Sequence, residues 1–191
     1  MGITNTNQTV SVQRIDCGGS FQVTLALSAA PDILTSPVDI VLALDRSGSV
    51  AGSPLANLKS GARTFIDIID KTTDSSQDGY LGYGSRMGVV SFAAEATEDC
   101  PLTDSVVRLK EAVNSLTAKG NTNHSDAFEK AAQMFDPDSP NRRVLVLFTD
   151  GETTVGPPAG PAAAALRGDG VTIYCIGFLR LSYPTIITQL F

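Results

Sequence analysis

Hydrophobic positions in this chain follow two alternating rhythms. Continuous apolar runs occupy residues 38–45 (VDIVLALD), 86–92 (RMGVVSF), 143–149 (RVLVLFT) and 171–177 (VTIYCIG). Such runs are how strands buried on both faces of a parallel sheet read. Between them, apolar residues recur at helical spacing. Leu55, Leu58, Ala62, Phe65 and Ile69 predict a helix over 54–70, introduced by Ser53-Pro54. Val106, Leu109, Val113 and Leu116 mark a second helix, with Thr103 or Asp104 as its cap. A third is expected over about 124–135, with Ala127, Ala131 and Phe135 facing inward and Pro137 and Pro140 ending it. Pro161 is expected to open a short Ala-rich helix that stops at Gly168.

The remaining segments connect these elements. Residues 72–85 carry Gly79, Gly82 and Gly84 and read as a loop. Residues 94–99 are expected to return beside the second strand as a short hairpin partner. Near the front, residues 9–28 read as two short strands around Gly18-Gly19, with Phe21, Val23, Leu25 and Leu27 alternating with polar or small residues. The pattern predicts an α/β fold, a doubly wound and mainly parallel sheet with helices on both faces. The expected division is a β-strand segment over 1–35, either part of a β-sandwich or added edge strands, and an α/β domain over 36–191. Ligands of such sheets bind at the carboxyl ends of the strands.

Two of those ends carry carboxylates. The first strand ends in Asp45-Arg46-Ser47-Gly48-Ser49, where alternation turns Asp45, Ser47 and Ser49 the same way. The third ends in Thr149-Asp150-Gly151-Glu152, and the loop Gly120-Asn121-Thr122-Asn123 opens a helix at the same rim. Asp45, Ser47, Ser49, Thr122 and Asp150 form an all-oxygen set, the kind that hard divalent cations take.

Composition narrows the partners. The chain has 191 residues, with Lys+Arg 14 against Asp+Glu 20 and a formal charge of −6. No basic block is present, which disfavours nucleic acid, and no apolar run is long enough to span a membrane. No secretory leader is visible, so composition points inside the cell. The three cysteines, Cys17, Cys100 and Cys175, form no CxxC pattern; Cys175 reads as an inert buried strand residue, and whether Cys17 pairs with Cys100 stays open. The single histidine, His124, excludes a two-His metal site and reads as a first-turn helix residue.

The D-x-S-x-S stretch after an apolar strand, G-N-T-N opening a helix and a strand ending T-D-G resemble, in that order, the von Willebrand factor A (VWA) domain. The likeness includes bacterial members and runs from about Val38 to Phe178. In that family the three segments form a metal-ion-dependent adhesion site, MIDAS. Carried over, the resemblance implies that Asp45, Ser47, Ser49, Thr122 and Asp150 hold Mg²⁺, or Mn²⁺ or Ca²⁺, and that the ion takes an Asp or Glu carboxylate of a partner protein. It implies a non-catalytic adhesion-type module, and it also leaves a cell-surface or secreted location open. The chain departs from the family after Phe178, where the usual last strand and helices are expected to be missing.

Each residue also has a simpler reading. Thr122 alone reads as a helix cap, Asp150-Gly151 as a turn, Glu152 as a solvated loop carboxylate and Arg46 as an exposed side chain. Asn121 and Asn123 read as braces of their loop. The rival function is a Mg²⁺-dependent phosphatase-like hydrolase with Asp45 as nucleophile. It lacks the second carboxylate expected two residues on, because position 47 is Ser. A GxSxG elbow for a serine hydrolase is also missing.

Overall fold

The computed structural model describes residues 5–10, 23–28 and 36–177, apart from position 75. The chain divides into two compact units, Met1–Thr35 and Ser36–Phe191. In the first, β1 (Asn5–Val10) and β2 (Val23–Ser28) pair antiparallel with each other, from Asn5 opposite Ser28 to Val10 opposite Val23. The first strand begins ahead of the expected position, and Gly18-Gly19 and Phe21 lie outside the described residues.

In the second unit the strands and helices follow one another in the order the hydrophobic pattern predicts. Its strands are β3 (Val38–Asp45), β4 (Arg86–Phe92), β5 (Ala96–Thr103), β6 (Arg142–Thr149) and β7 (Thr172–Gly177). They form one sheet in the order β5-β4-β3-β6-β7, with only the β4–β5 pair antiparallel. The helices are α1 (Ser53–Thr73), α2 (Val106–Ser115), α3 (His124–Met134) and α4 (Ala159–Gly168). Alternate strand residues feed opposite faces. Ile40, Leu42 and Leu44 of β3 pack with Leu58, Ala62 and Ile66 of α1 and Leu109 and Val113 of α2. Val41 and Ala43 pack with Ala127, Phe128 and Ala131 of α3 and Ala163 and Leu166 of α4. Period-two alternation along β3 is therefore what puts helices on both sides of the sheet.

Several expectations need correction. The second hairpin strand runs to Thr103 rather than ending at residue 99; Pro101 is tolerated because β5 is an edge strand, and the pairing with β4 shifts register twice. Ser105 caps α2, accepting from the Arg108 N–H, while Thr103 accepts from the Ser105 N–H. The Ala-rich helix opens at Ala159, and Pro161 sits within its first turn, where no intrahelical N–H bond is lost. β7 is not buried on both faces: Thr172, Tyr174 and Cys175 are exposed. Its one neighbour among the described residues is β6, and an apolar run does not report how many neighbours a strand has. Cys100 is a free, buried thiol, and Cys17 lies outside the described residues.

At the amino end of the sheet, Asp39 is fully buried. Its carboxylate takes Arg86 in two bonds of 2.9 and 2.7 Å, plus the Ser139 hydroxyl at 3.0 Å and the Asn141 amide at 2.9 Å. Burial alone pushes this carboxyl up, but Arg86, Asn141 and Ser139 together outweigh it and hold it below the usual range.

Candidate metal centre

At the carboxyl end, the backbone turns sharply after β3. Residues 48–50 form a single short helical turn, and the Ser47 N–H donates to Asp45 Oδ1 at 2.9 Å. From there a chain of oxygens crosses the rim: Ser47 Oγ lies 2.8 Å from Ser49 Oγ, and Ser49 Oγ donates to Asp150 Oδ1 at 2.8 Å. Asp45 and Ser47 are buried, while Ser49 and Asp150 are half-buried. Asp45, Ser47, Ser49 and Asp150 thus meet in one hydrogen-bonded cluster, although Asp150, just past the end of β6, is 101 residues away from Ser49.

Thr122 arrives on a separate loop, which is docked against the turn. The Gly48 N–H donates to the Gly120 carbonyl at 2.7 Å, and a Cβ at Gly48 would stand only 3.2 Å from that oxygen. Gly120 itself has φ of 78°, a conformation glycine adopts without penalty. Beyond it, the Thr122 N–H donates to Thr154 Oγ1 at 2.9 Å, and the Thr122 carbonyl accepts from the Thr154 and Val155 N–H groups. Thr122 is buried at 5 % exposure. It is not the cap of α3: Asn123 takes that role through the Asp126 N–H, and the Asn123 amide also donates to the Ala94 carbonyl.

The environment of the cluster was only partly visible in the sequence. Arg46 is half-buried rather than exposed, because its guanidinium folds onto β4 and β5, with Nε 3.0 Å from Ser91 Oγ and Nη2 3.4 Å from Thr97 Oγ1. Glu152 is exposed, as a solvated loop carboxylate should be. His124 is in the first turn of α3, but it is 2 % exposed, packs at a tilt against Phe92 with ring centroids 5.3 Å apart, and lies 3.0 Å from Thr149 Oγ1 and 2.7 Å from Thr153 Oγ1. Burial pushes its imidazole below the ordinary histidine value, against the opposing pull of Asp45 and Asp150. Thr149 and Thr153 are supporting residues that the motif reading missed. The signal for the first was present in T-D-G itself, since a Thr just before a rim Asp faces the neighbouring strand end.

The donor chemistry fits a hard cation. Among the described residues no group of three or more His, Cys, Asp or Glu side chains could hold a metal ion, so a cation at this rim has to draw on hydroxyl oxygens. Adjacent ligands of an octahedral ion with bonds of about 2.1 Å lie about 3.0 Å apart. The Ser47–Ser49 and Ser49–Asp150 hydrogen bonds of 2.8 Å hold these oxygens close to that spacing.

Comparison with known proteins is consistent with this architecture. The family model described as von Willebrand factor type A domain matches residues 39–190. Inter-alpha-trypsin inhibitor heavy chain H4 of Bos taurus is 28% identical over 189 residues, covering 87% of this chain and 19% of that protein. Collagen alpha-6(VI) chain of Mus musculus is 30% identical over 148 residues, covering 73% of this chain and 6% of that one. The chain therefore spans about a fifth or less of these relatives. Among solved structures, proximal thread matrix protein 1 from the mussel byssus, with a zinc-occupied MIDAS motif, superposes with a TM-score of 0.62 at 26% identity, covering 75% of this chain and 36% of that one.

Proposed function

The chain belongs to the von Willebrand factor type A domain family, and from that premise we propose that it is a non-catalytic, metal-dependent protein-binding module. Asp45, Ser47, Ser49, Thr122 and Asp150 would hold Mg²⁺ or a similar divalent cation. Bound there, such a cation supplies an electrophilic centre for an Asp or Glu carboxylate of a partner protein. Residues 1–35 would form a β-strand segment, as part of a β-sandwich or as added edge strands, and a cell-surface or secreted setting accords with relatives such as the collagen chain.

The observation that carries this reading is the contiguous oxygen chain from Ser47 through Ser49 to Asp150. Neutral hydroxyls add little negative charge to the set, so a cation held by them keeps its attraction for an outside anion. Without a cation the two rim carboxylates repel that anion, and partner binding should therefore be metal-dependent. Each Asp45 oxygen accepts one bond, from the Ser47 N–H and from the Thr149 hydroxyl at 2.7 Å, and keeps a lone pair for a cation, while the second carboxylate that the hydrolase needs two residues on is replaced by Ser47. Among the described residues no helix is long and apolar enough to cross a membrane.

The test uses Mn²⁺ as the metal and ¹³C-acetate as the smallest carboxylate probe. Protein with Mn²⁺ should broaden the acetate carboxyl line beyond free Mn²⁺, and both EDTA and excess Mg²⁺ should remove the effect. Equal broadening with and without protein would contradict the carboxylate-binding reading. Turnover of a generic phosphate ester that is lost in Asp45→Asn would favour the hydrolase instead.

A further inference from the structure

We propose that His124 is a positioning residue for the Asp45 carboxylate, acting through the Thr149 hydroxyl as an Nε2–H donor. Its consequence for metal affinity rests on the metal-site reading above, while the proton arrangement stands without it. The three side chains are buried in series, at 2 % exposure for His124, 2 % for Thr149 and none for Asp45. Thr149 Oγ1 lies 2.7 Å from Asp45 Oδ2 and 3.0 Å from His124 Nε2.

The direction of each bond follows from counting protons. A hydroxyl has one proton to donate, and a carboxylate oxygen only accepts. The Thr149 proton therefore points to Asp45; the alternative acceptor, the Gly151 carbonyl, is 3.4 Å away and uncharged. Having spent its proton, Thr149 must accept from His124, so Nε2 carries the hydrogen. In the neutral ring Nδ1 then accepts from the Thr153 hydroxyl at 2.7 Å. Thr153 and Thr149 thus clamp the ring from both sides. The ring in turn stops the Thr149 hydroxyl from rotating away from Asp45 Oδ2, while Asp45 Oδ1 is held by the Ser47 N–H. Both carboxylate oxygens are fixed, and the last link is a residue the ligand motif does not include.

His124 is the only histidine, so its two ring nitrogens can be read without assignment ambiguity. The ¹⁵N shifts of wild-type protein at pH 8 should show the Nε2–H tautomer, and Thr149→Val should abolish that preference. Calorimetric Mg²⁺ titrations should show about 10-fold weaker binding for His124→Leu and for Thr149→Val. The double variant should again lose about 10-fold, because either change cuts the same relay. Thr149→Ser should recover most of what Thr149→Val loses. An Nδ1–H tautomer in wild type overturns the proposal whether or not the variants fold. Losses that multiply to about 100-fold in the double variant overturn it as well. Wild-type protein in the Nε2–H form that binds no Mg²⁺ removes the metal-site reading, and with it the role in affinity.

Discussion

Strand β3 carries a fully buried aspartate near each end, and the two are met in opposite ways. Asp39, at the amino end of the sheet, is answered by the Arg86 guanidinium and two neutral donors. Asp45, at the carboxyl end, is met by neutral donors, a backbone N–H and the Thr149 hydroxyl. The first arrangement closes its charge balance inside the chain and ties β3, β4 and the 139–141 segment together. The second has no basic side chain bonded to it among the described residues, and it stands beside a second carboxylate and two serine hydroxyls. Two equally buried aspartates can thus be met by a cation or by neutral donors alone, and on the proposed reading only the second is left to ligate a metal.

Exchanging the roles of the two residues is the sharpest way to break this comparison. Asp45→Ala should weaken Mg²⁺ binding by more than about 100-fold, beyond the range usual for supporting residues, while the urea midpoint stays close to wild type. Calorimetry beside a denaturation curve reads both. Unfolding of this variant would make Asp45 a structural residue like Asp39. Asp39→Ala should do the reverse, costing about 3 kcal/mol of stability because it strands Arg86 half-buried, with Mg²⁺ affinity within about twofold of wild type.

Acid sharpens the same contrast. Since the folded state holds the Asp39 carboxyl below its unfolded value, its contribution is fully present above the unfolded value and fades as pH falls through the folded one. Urea stability of wild type should therefore drop below about pH 4, and Asp39→Asn should flatten that drop. Asp70 gives the smallest and opposite effect. Burial raises its carboxyl first, with Asp67, Asp78 and Asp74 adding to the rise, and Oδ1 has no hydrogen-bond partner. A raised carboxyl costs stability while ionised and regains it as pH falls through the folded value. Asp70→Asn should stabilise the protein at pH 7 by about 1 kcal/mol, with the gain shrinking in acid.

Much of this was legible in the residues because it rests on local rules. β3, β4 and β6 announce themselves as strands with two buried faces, and the apolar spacing of α1 and α3 names the sides they bury. The meeting of Asp45, Ser47, Ser49 and Asp150 follows from two short motifs at strand ends. What the sequence hid depends on distant partners. Nothing near Cys175 tells that β7 lacks a second neighbour among the described residues. Arg46 reads as exposed until β5 places Thr97 beneath it. His124 reads as an ordinary helix residue until Thr149, 25 positions later, is brought within 3.0 Å.

The most direct measurement of the central claim is a calorimetric titration of Mg²⁺ into the wild-type protein, repeated with Ser49→Ala. One cation should bind per chain in the wild type, and the affinity should fall at least about 10-fold in the variant, because Ser49 links both halves of the oxygen chain. Absence of saturable heat in the wild type, or equal affinity in the two proteins, would contradict a metal centre at this rim.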